Sequence, residues 1–189
     1  MRDLKQLSDE ELVQLYRDGT EEAFTEIYSR YEQKLKRLIY YYIPNADDAS
    51  DVFHEAIIRV FRHLGTYKIN KSFSSWIYQI AINCSKNYIG RSMRETHLVE
   101  QERFRVRDEY LHPVSPEDVF ISESDMEEFN RAVERLKDKF KSVFILRYDH
   151  RLKYSEIASI LGCSERTVKW RMEKAIEKIA QHLSEKGVI

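Results

Sequence analysis

The chain has 189 residues, 42% hydrophobic and 33% charged, with a formal net charge of −1. That suffices for one domain or two small ones under a charged surface, and it argues against a protein that coats nucleic acid everywhere. Five Gly and three Pro argue against a β-rich or Rossmann fold, and no apolar run approaches the roughly 20 residues of a membrane span.

The first residues, Met1-Arg-Asp-Leu4, lack the apolar stretch of a signal peptide, so a cytoplasmic protein is expected. Cys84 and Cys163 are far apart and are expected as free thiols. No Gly-rich phosphate loop, His/Cys cluster or Gly-x-Ser-x-Gly is present, so neither an enzyme, a cofactor nor a metal is expected.

The elements read as helices throughout. Residues 8–18 open with a capping-box pair, Ser8 and Glu11, and Gly19 ends that helix. A second helix follows from Thr20, with Phe24, Ile27, Tyr28, Tyr31, Leu35, Leu38 and Ile39 at helical spacing, until Pro44. A third spans about 47–64, with an apolar stripe of Val52, Phe53, Ile57, Val60, Phe61 and Leu64. Asp51, His54, Glu55, Arg59 and Arg62 lie mostly on its other side.

Residues 66–71 form a polar, basic loop with one aromatic, Tyr67. A fourth helix runs from about Ser72 to Arg91, with Phe73, Trp76, Ile77, Ile80, Ala81, Cys84 and Tyr88 inward. The helical pattern then fails through a stretch holding Pro113, Pro116 and dense negative charge. It resumes at 125–137 and 139–147. The expected fold is all-α: two small helical bundles, 1–94 and 125–189, joined by a flexible acidic linker, 95–124.

Residues 154–175 carry the strongest signal. Ile157, Ala158 and Leu161 share one face of a short helix, Gly162 stands where a positive φ closes it, and Ser164 can cap the next. Val168, Met172, Ala175 and Ile179 then make one apolar stripe. Arg166, Trp170 and Glu173 point away from it, with Lys169 and Lys174 beside them. A short helix held by its inner face and presenting Arg, Lys, Trp and Glu suits the DNA major groove. A solvated amphipathic helix in an ordinary bundle is the plainer alternative. Residues 130–182 hold 13 Lys/Arg against 7 Asp/Glu, whereas 95–128 hold 11 Asp/Glu against 3 Arg, which fits a localised DNA contact behind a spacer.

Three stretches together resemble the extracytoplasmic-function (ECF) sigma factors, the small two-domain branch of the bacterial sigma-70 family. Asp47-Asp-Ala-Ser-Asp-Val-Phe-His-Glu-Ala-Ile-Ile-Arg-Val-Phe-Arg-His-Leu64 looks like the family's polymerase-binding helix. Phe73-Ser-Ser-Trp-Ile-Tyr-Gln-Ile-Ala-Ile-Asn83 is similar to its Phe-x-x-Trp-Leu-x-x-Ile-Ala-x-Asn. Residues 136–183, with Val143-Phe-Ile-Leu-Arg-Tyr148 and the helix-turn-helix, match its C-terminal domain. The chain departs from the family in having His54 where Gln is usual, Gln79 where Arg is frequent and Trp170 where a small residue is frequent.

The resemblance implies a specificity subunit that binds core RNA polymerase, recognises the −35 and −10 promoter elements and helps to open the duplex. Region 2 would occupy 1–94 and region 4 would occupy 125–189. Arg166, Lys169, Trp170, Glu173 and Lys174 would meet the −35 element, with Arg147 and Lys153 as backbone clamps. Tyr67, Lys68, Asn70, Lys71, Gln79 and Asn83 would meet the −10 element, although Tyr67 has the alternative of a core aromatic that pins the loop. Phe73 and Trp76 are assigned mainly to the core. Asp51, His54, Glu55, Arg59 and Arg62 would face the polymerase, and an anti-sigma factor is an expected partner. A stand-alone helix-turn-helix regulator would explain 154–175 but not the 73–83 motif. An adaptor docking its basic face on an acidic partner is a third reading.

Overall fold

The computed structural model describes residues 3–68, 72–95 and 123–189; the side chains of 93–95 and of 123 lie outside that description, as does the acidic stretch between 95 and 123. Among the described residues there are helices and no strand. The chain divides into two compact units, Met1–Tyr110 and Leu111–Ile189.

The N-terminal unit contains α1 (Asp9–Arg17), α2 (Glu22–Tyr42), α3 (Ala46–Leu64) and α4 (Phe73–Glu95), after a 3-10 turn at Leu4–Gln6. Helix α1 starts where Ser8 Oγ accepts from Glu11 N and the Glu11 carboxylate accepts from Ser8 N, the expected reciprocal cap. Asn45 caps α3 by accepting from Asp48 N at 3.0 Å. Helix α4 packs on α2 and α3 and touches α1. Leu12, Leu35, Leu38, Ile39, Phe53, Leu64, Phe73 and Ile77 fill the interior, all under 2% exposed. Each such aliphatic or aromatic side chain contributes about 1.5–3 kcal/mol by leaving water.

A polar tie secures the N-terminal turn to this core. Arg30 reaches Asp9 at 2.9 Å, Glu26 at 2.8 Å and the Leu4 carbonyl at 3.0 Å, and the Tyr31 hydroxyl donates to Asp9. Burial, then the Asp9 carboxylate, pushes the Tyr31 hydroxyl well above the ordinary tyrosine range, so it remains a donor.

The C-terminal unit contains α5 (Glu123–Glu134), α6 (Asp138–Tyr148), α7 (Tyr154–Leu161) and α8 (Glu165–Glu185). Helix α8 is its spine, with α5, α6 and α7 packed on it. Val143, Leu146, Ile157, Val168 and Ala175 are fully buried. At the other end of α8, His182 lies between Glu128 of α5, at 3.1 Å, and Arg135, at 3.3 Å.

Several inward assignments change in three dimensions. Phe61, expected in the core stripe of α3, is 49% exposed and packs edge-on against Phe24 and Tyr16 at the surface. Ala49 and Ala56 take inner positions instead, on a helix packed against both α2 and α4. Ile80 and Tyr88 are only partly buried, whereas Ser75, Tyr78, Ile82 and Ser85 are inside, since α4 is covered by three helices rather than one. Ile160 rather than Leu161 is the deeper residue of α7.

Candidate nucleic-acid and partner interfaces

The helix-turn-helix is built by local chemistry. Helix α7 begins where the Glu156 carboxylate accepts from Lys153 N at 2.7 Å, and it ends at Gly162 with φ 61°. A Cβ at Gly162 would meet no atom within 4 Å, so backbone conformation rather than space calls for glycine there. Ser164 Oγ then accepts from Thr167 N at 3.1 Å and opens α8. Val168, Met172, Ala175 and Ile179 are buried, as the stripe required.

The opposite face of α8 carries Arg166, Lys169, Trp170 and Glu173, all exposed, with Lys174 half-exposed beside them. Trp170 is not a free wedge: its ring lies 5.9 Å from that of Phe140, and the Lys139 ammonium sits over both rings. A cation from α6 thus joins the face, a residue that spacing along α8 could not reveal. Lys174 is paired with Glu177 one turn on. Arg147 donates to the Leu152 carbonyl at 3.0 Å and stacks over the Tyr154 ring, so its guanidinium braces the approach to α7; Lys153 is exposed at the start of that helix.

On α4, Gln79 and Asn83 are exposed one turn apart, and Lys86 and Asn87 continue the same stripe. Lys68 is exposed at the end of the described loop; Asn70 and Lys71 lie outside the described residues. Tyr67 does not offer its ring to solvent. It is 4% exposed and packs on Phe73 and Trp76, with centroids 5.4 and 5.0 Å away. Burial pushes its hydroxyl above the ordinary tyrosine range. The pinning alternative therefore describes where Tyr67 sits. Phe73 is fully buried, while Trp76 is only partly so, on the side of α4 that bears Gln79 and Asn83.

On α3, Asp51, His54 and Arg62 are exposed and Glu55 and Arg59 half-exposed. Glu55 bridges Arg59 and Arg91. In the middle of this polar face stands Ile58, 49% exposed, which a reading by charge alone passed over; an apolar residue out of phase with the buried stripe was its signal. Cys84 is buried, and burial raises its thiol pKa. Cys163 is half-buried, with the Arg171 guanidinium 3.8 Å from its sulfur. Among the described residues no cluster of acidic, His and Cys side chains could hold a metal, and no helix is long and apolar enough to cross a membrane.

Comparison with known proteins agrees with both units. The family model for sigma-70 region 2 matches residues 27–95 and that for sigma-70 region 4 matches residues 126–179. The "ECF RNA polymerase sigma-E factor" of Escherichia coli strain K12 is 32% identical over 180 residues, covering 93% of this chain and 94% of that protein. Among solved structures, CnrH in complex with the cytosolic domain of CnrY has a TM-score of 0.70 at 17% identity, over 94% of this chain and 97% of that one. The sigma factor RpoE of Bartonella quintana, in complex with the anti-sigma factor NepR, has a TM-score of 0.67 at 18% identity, over 85% of this chain and 96% of that one. With region 2 and region 4 matched in order and an ECF factor aligned along nearly its whole length, the chain belongs to the ECF sigma factors of the sigma-70 family, which confer promoter specificity on RNA polymerase at transcription initiation.

Proposed function

We propose the following division of labour among the residues of this sigma factor. The exposed face of α8 enters the major groove of the −35 element. Arg166 is suited to a guanine edge and Lys169 and Lys174 to phosphates, while Glu173 can accept from a cytosine amine. Trp170 holds Lys139 against the same face and offers its remaining surface to a thymine methyl or a sugar. The carrying observation is that these side chains stand outward together while the other side of α8 is buried without a break.

The −10 element falls to α4 and the loop before it. A base taken out of the stack costs a few kcal/mol and needs hydrogen bonds and an aromatic surface in return. Gln79 and Asn83 supply the hydrogen bonds, Lys68 a phosphate contact, and the half-exposed Trp76 the ring beside them. The polar face of α3 meets the polymerase core, with Ile58 as its apolar centre inside a rim of Asp51, His54, Glu55, Arg59 and Arg62. An anti-sigma factor is the further partner, a reading supported by fold likeness to RpoE, which was solved with one. The protein acts in the cytoplasm, where polymerase and promoter are, and catalyses nothing itself.

Run-off transcription with purified core polymerase, with and without this protein, on a host genomic fragment library tests this reading. Discrete protein-dependent starts that share two spaced upstream elements are expected. Tight binding of the free protein to DNA without new transcripts would instead establish a stand-alone regulator.

A further inference from the structure

Helix α1 lies outside the matched region 2, yet it reaches both ends of the loop between α3 and α4. Arg17 Nη2 donates to the Leu64 carbonyl at 3.4 Å and to the Tyr67 carbonyl. The Glu10 carboxylate accepts from Phe73 N at 3.3 Å. These two side chains are seven residues apart, so they project from one face of α1, about 10 Å apart along its axis.

Their charges suit their targets. Leu64 ends α3, where the negative end of the helix favours a cation although the Leu64 carbonyl also accepts from Tyr67 N at 3.3 Å. Phe73 begins α4, where N–H groups without a partner inside the helix favour an anion. The base of α1 is firm, since Leu12 and Val13 are fully buried. Tyr67, whose carbonyl Arg17 holds, is itself buried and lies near enough to Glu10 for that carboxylate to help raise its hydroxyl pKa. Arg17 and Glu10 therefore hold Leu64 and Tyr67 on one side of the loop and Phe73 on the other.

We propose that Glu10 and Arg17 are positioning residues for promoter opening: from α1 they fix the end of α3 and the start of α4, so that Lys68, Gln79 and Asn83 are already placed when DNA arrives. This rests on the assignment of α4 and Lys68 to the −10 element. Preplacing the groups that capture an unstacked base removes an ordering cost from the opening step. Neither side chain need touch DNA.

The test uses holoenzyme on a promoter obtained by the run-off mapping, as intact duplex and as a template pre-melted across the −10 element. Opening is read by permanganate reactivity of −10 thymines. Arg17→Gln and Glu10→Ala are expected to slow opening of the duplex roughly tenfold, the scale of losing one charged hydrogen bond. On the pre-melted template they should transcribe within about twofold of the parent, because the step they assist is bypassed. Glu10→Gln should open faster than Glu10→Ala but slower than the parent, since its amide oxygen still accepts from Phe73 N while the charge is lost.

Parent-like opening by both Arg17→Gln and Glu10→Ala, while Asn83→Ala and Lys68→Ala are impaired, overturns the proposal. So does a defect that the pre-melted template does not relieve, or one accompanied by weaker binding of the polymerase core, since either marks general damage to the unit. Parent-like opening by Asn83→Ala and Lys68→Ala would remove the −10 assignment itself, and the proposal with it.

Discussion

Lys174 already has a partner in the free protein. Its bond to Glu177, the largest cause, keeps that exposed carboxyl below the usual carboxylate range, and DNA phosphate must compete with it. Glu177→Gln should therefore bind −35 DNA several-fold more tightly and with a steeper salt dependence, measured by anisotropy across a salt series. Lys169 has no such constraint; Lys169→Ala should weaken binding uniformly across sequences and reduce the salt slope by about 1. Parent-like slopes in both variants would remove these lysines from the interface.

Glu128 gives a pH-dependent counterpart. Burial alone would raise its carboxyl pKa, but the bond from His182 and the charge of Arg131 outweigh it, so the pKa is lowered. A lowered folded-state pKa means that the stabilisation is complete above the unfolded value and is lost as pH falls through the folded one. The parent should thus exceed Glu128→Gln in thermal midpoint at neutral pH, and the gap should close below the ordinary glutamate range. A gap that persists in acid would assign the effect to packing.

Whole elements depend on small local devices. At Gly162 the left-handed conformation ends α7 and aims α8. Gly162→Ala should cost about 1–2 kcal/mol of unfolding free energy, from backbone strain alone, because space for the methyl group exists. Denaturant unfolding of the full chain reads this; an unchanged C-terminal transition would show that the turn relaxes. Helix α7 and the outer face of α8 were legible in the sequence because cap, turn and stripe all lie within a few residues of one another. Helices α3 and α4 were legible as helices, but their inner faces were not. An amphipathic stripe shows that one side is buried, not how many neighbours will cover the rest. That is why Phe61 came out and Ser75, Tyr78 and Ser85 went in.

At the scale of the whole molecule, the two units should carry separable tasks. Replacing Ile58 and Asp51 on α3 with Ala and Arg should weaken binding to the polymerase core by tenfold or more. The isolated factor's contact with −35 DNA should stay unchanged. Replacing Arg166 and Lys169 with Ala should do the reverse. Co-purification with polymerase core, alongside DNA anisotropy, separates the two, and equal loss of both by either variant would defeat the division. The stretches 47–64 and 73–83 together made region 2 recognisable, while at position 58 the only signal was an apolar residue out of phase with the buried stripe.

The helical class, the helix-turn-helix with its caps, the outward set on α8 and, by resemblance, the family could be read along the chain. These depend on period and on neighbours a few residues away, which a chain displays along its length. Tertiary structure alone decided that Tyr67 turns inward onto Phe73 and Trp76, and that Lys139 joins the face of Trp170. It also brought Arg17 to carbonyls 47 and 50 residues away and Glu10 to an amide 63 residues away. Such contacts have no local signature: they exist because packing α1 against α2 and α4 carries two charged side chains to helix ends that need them.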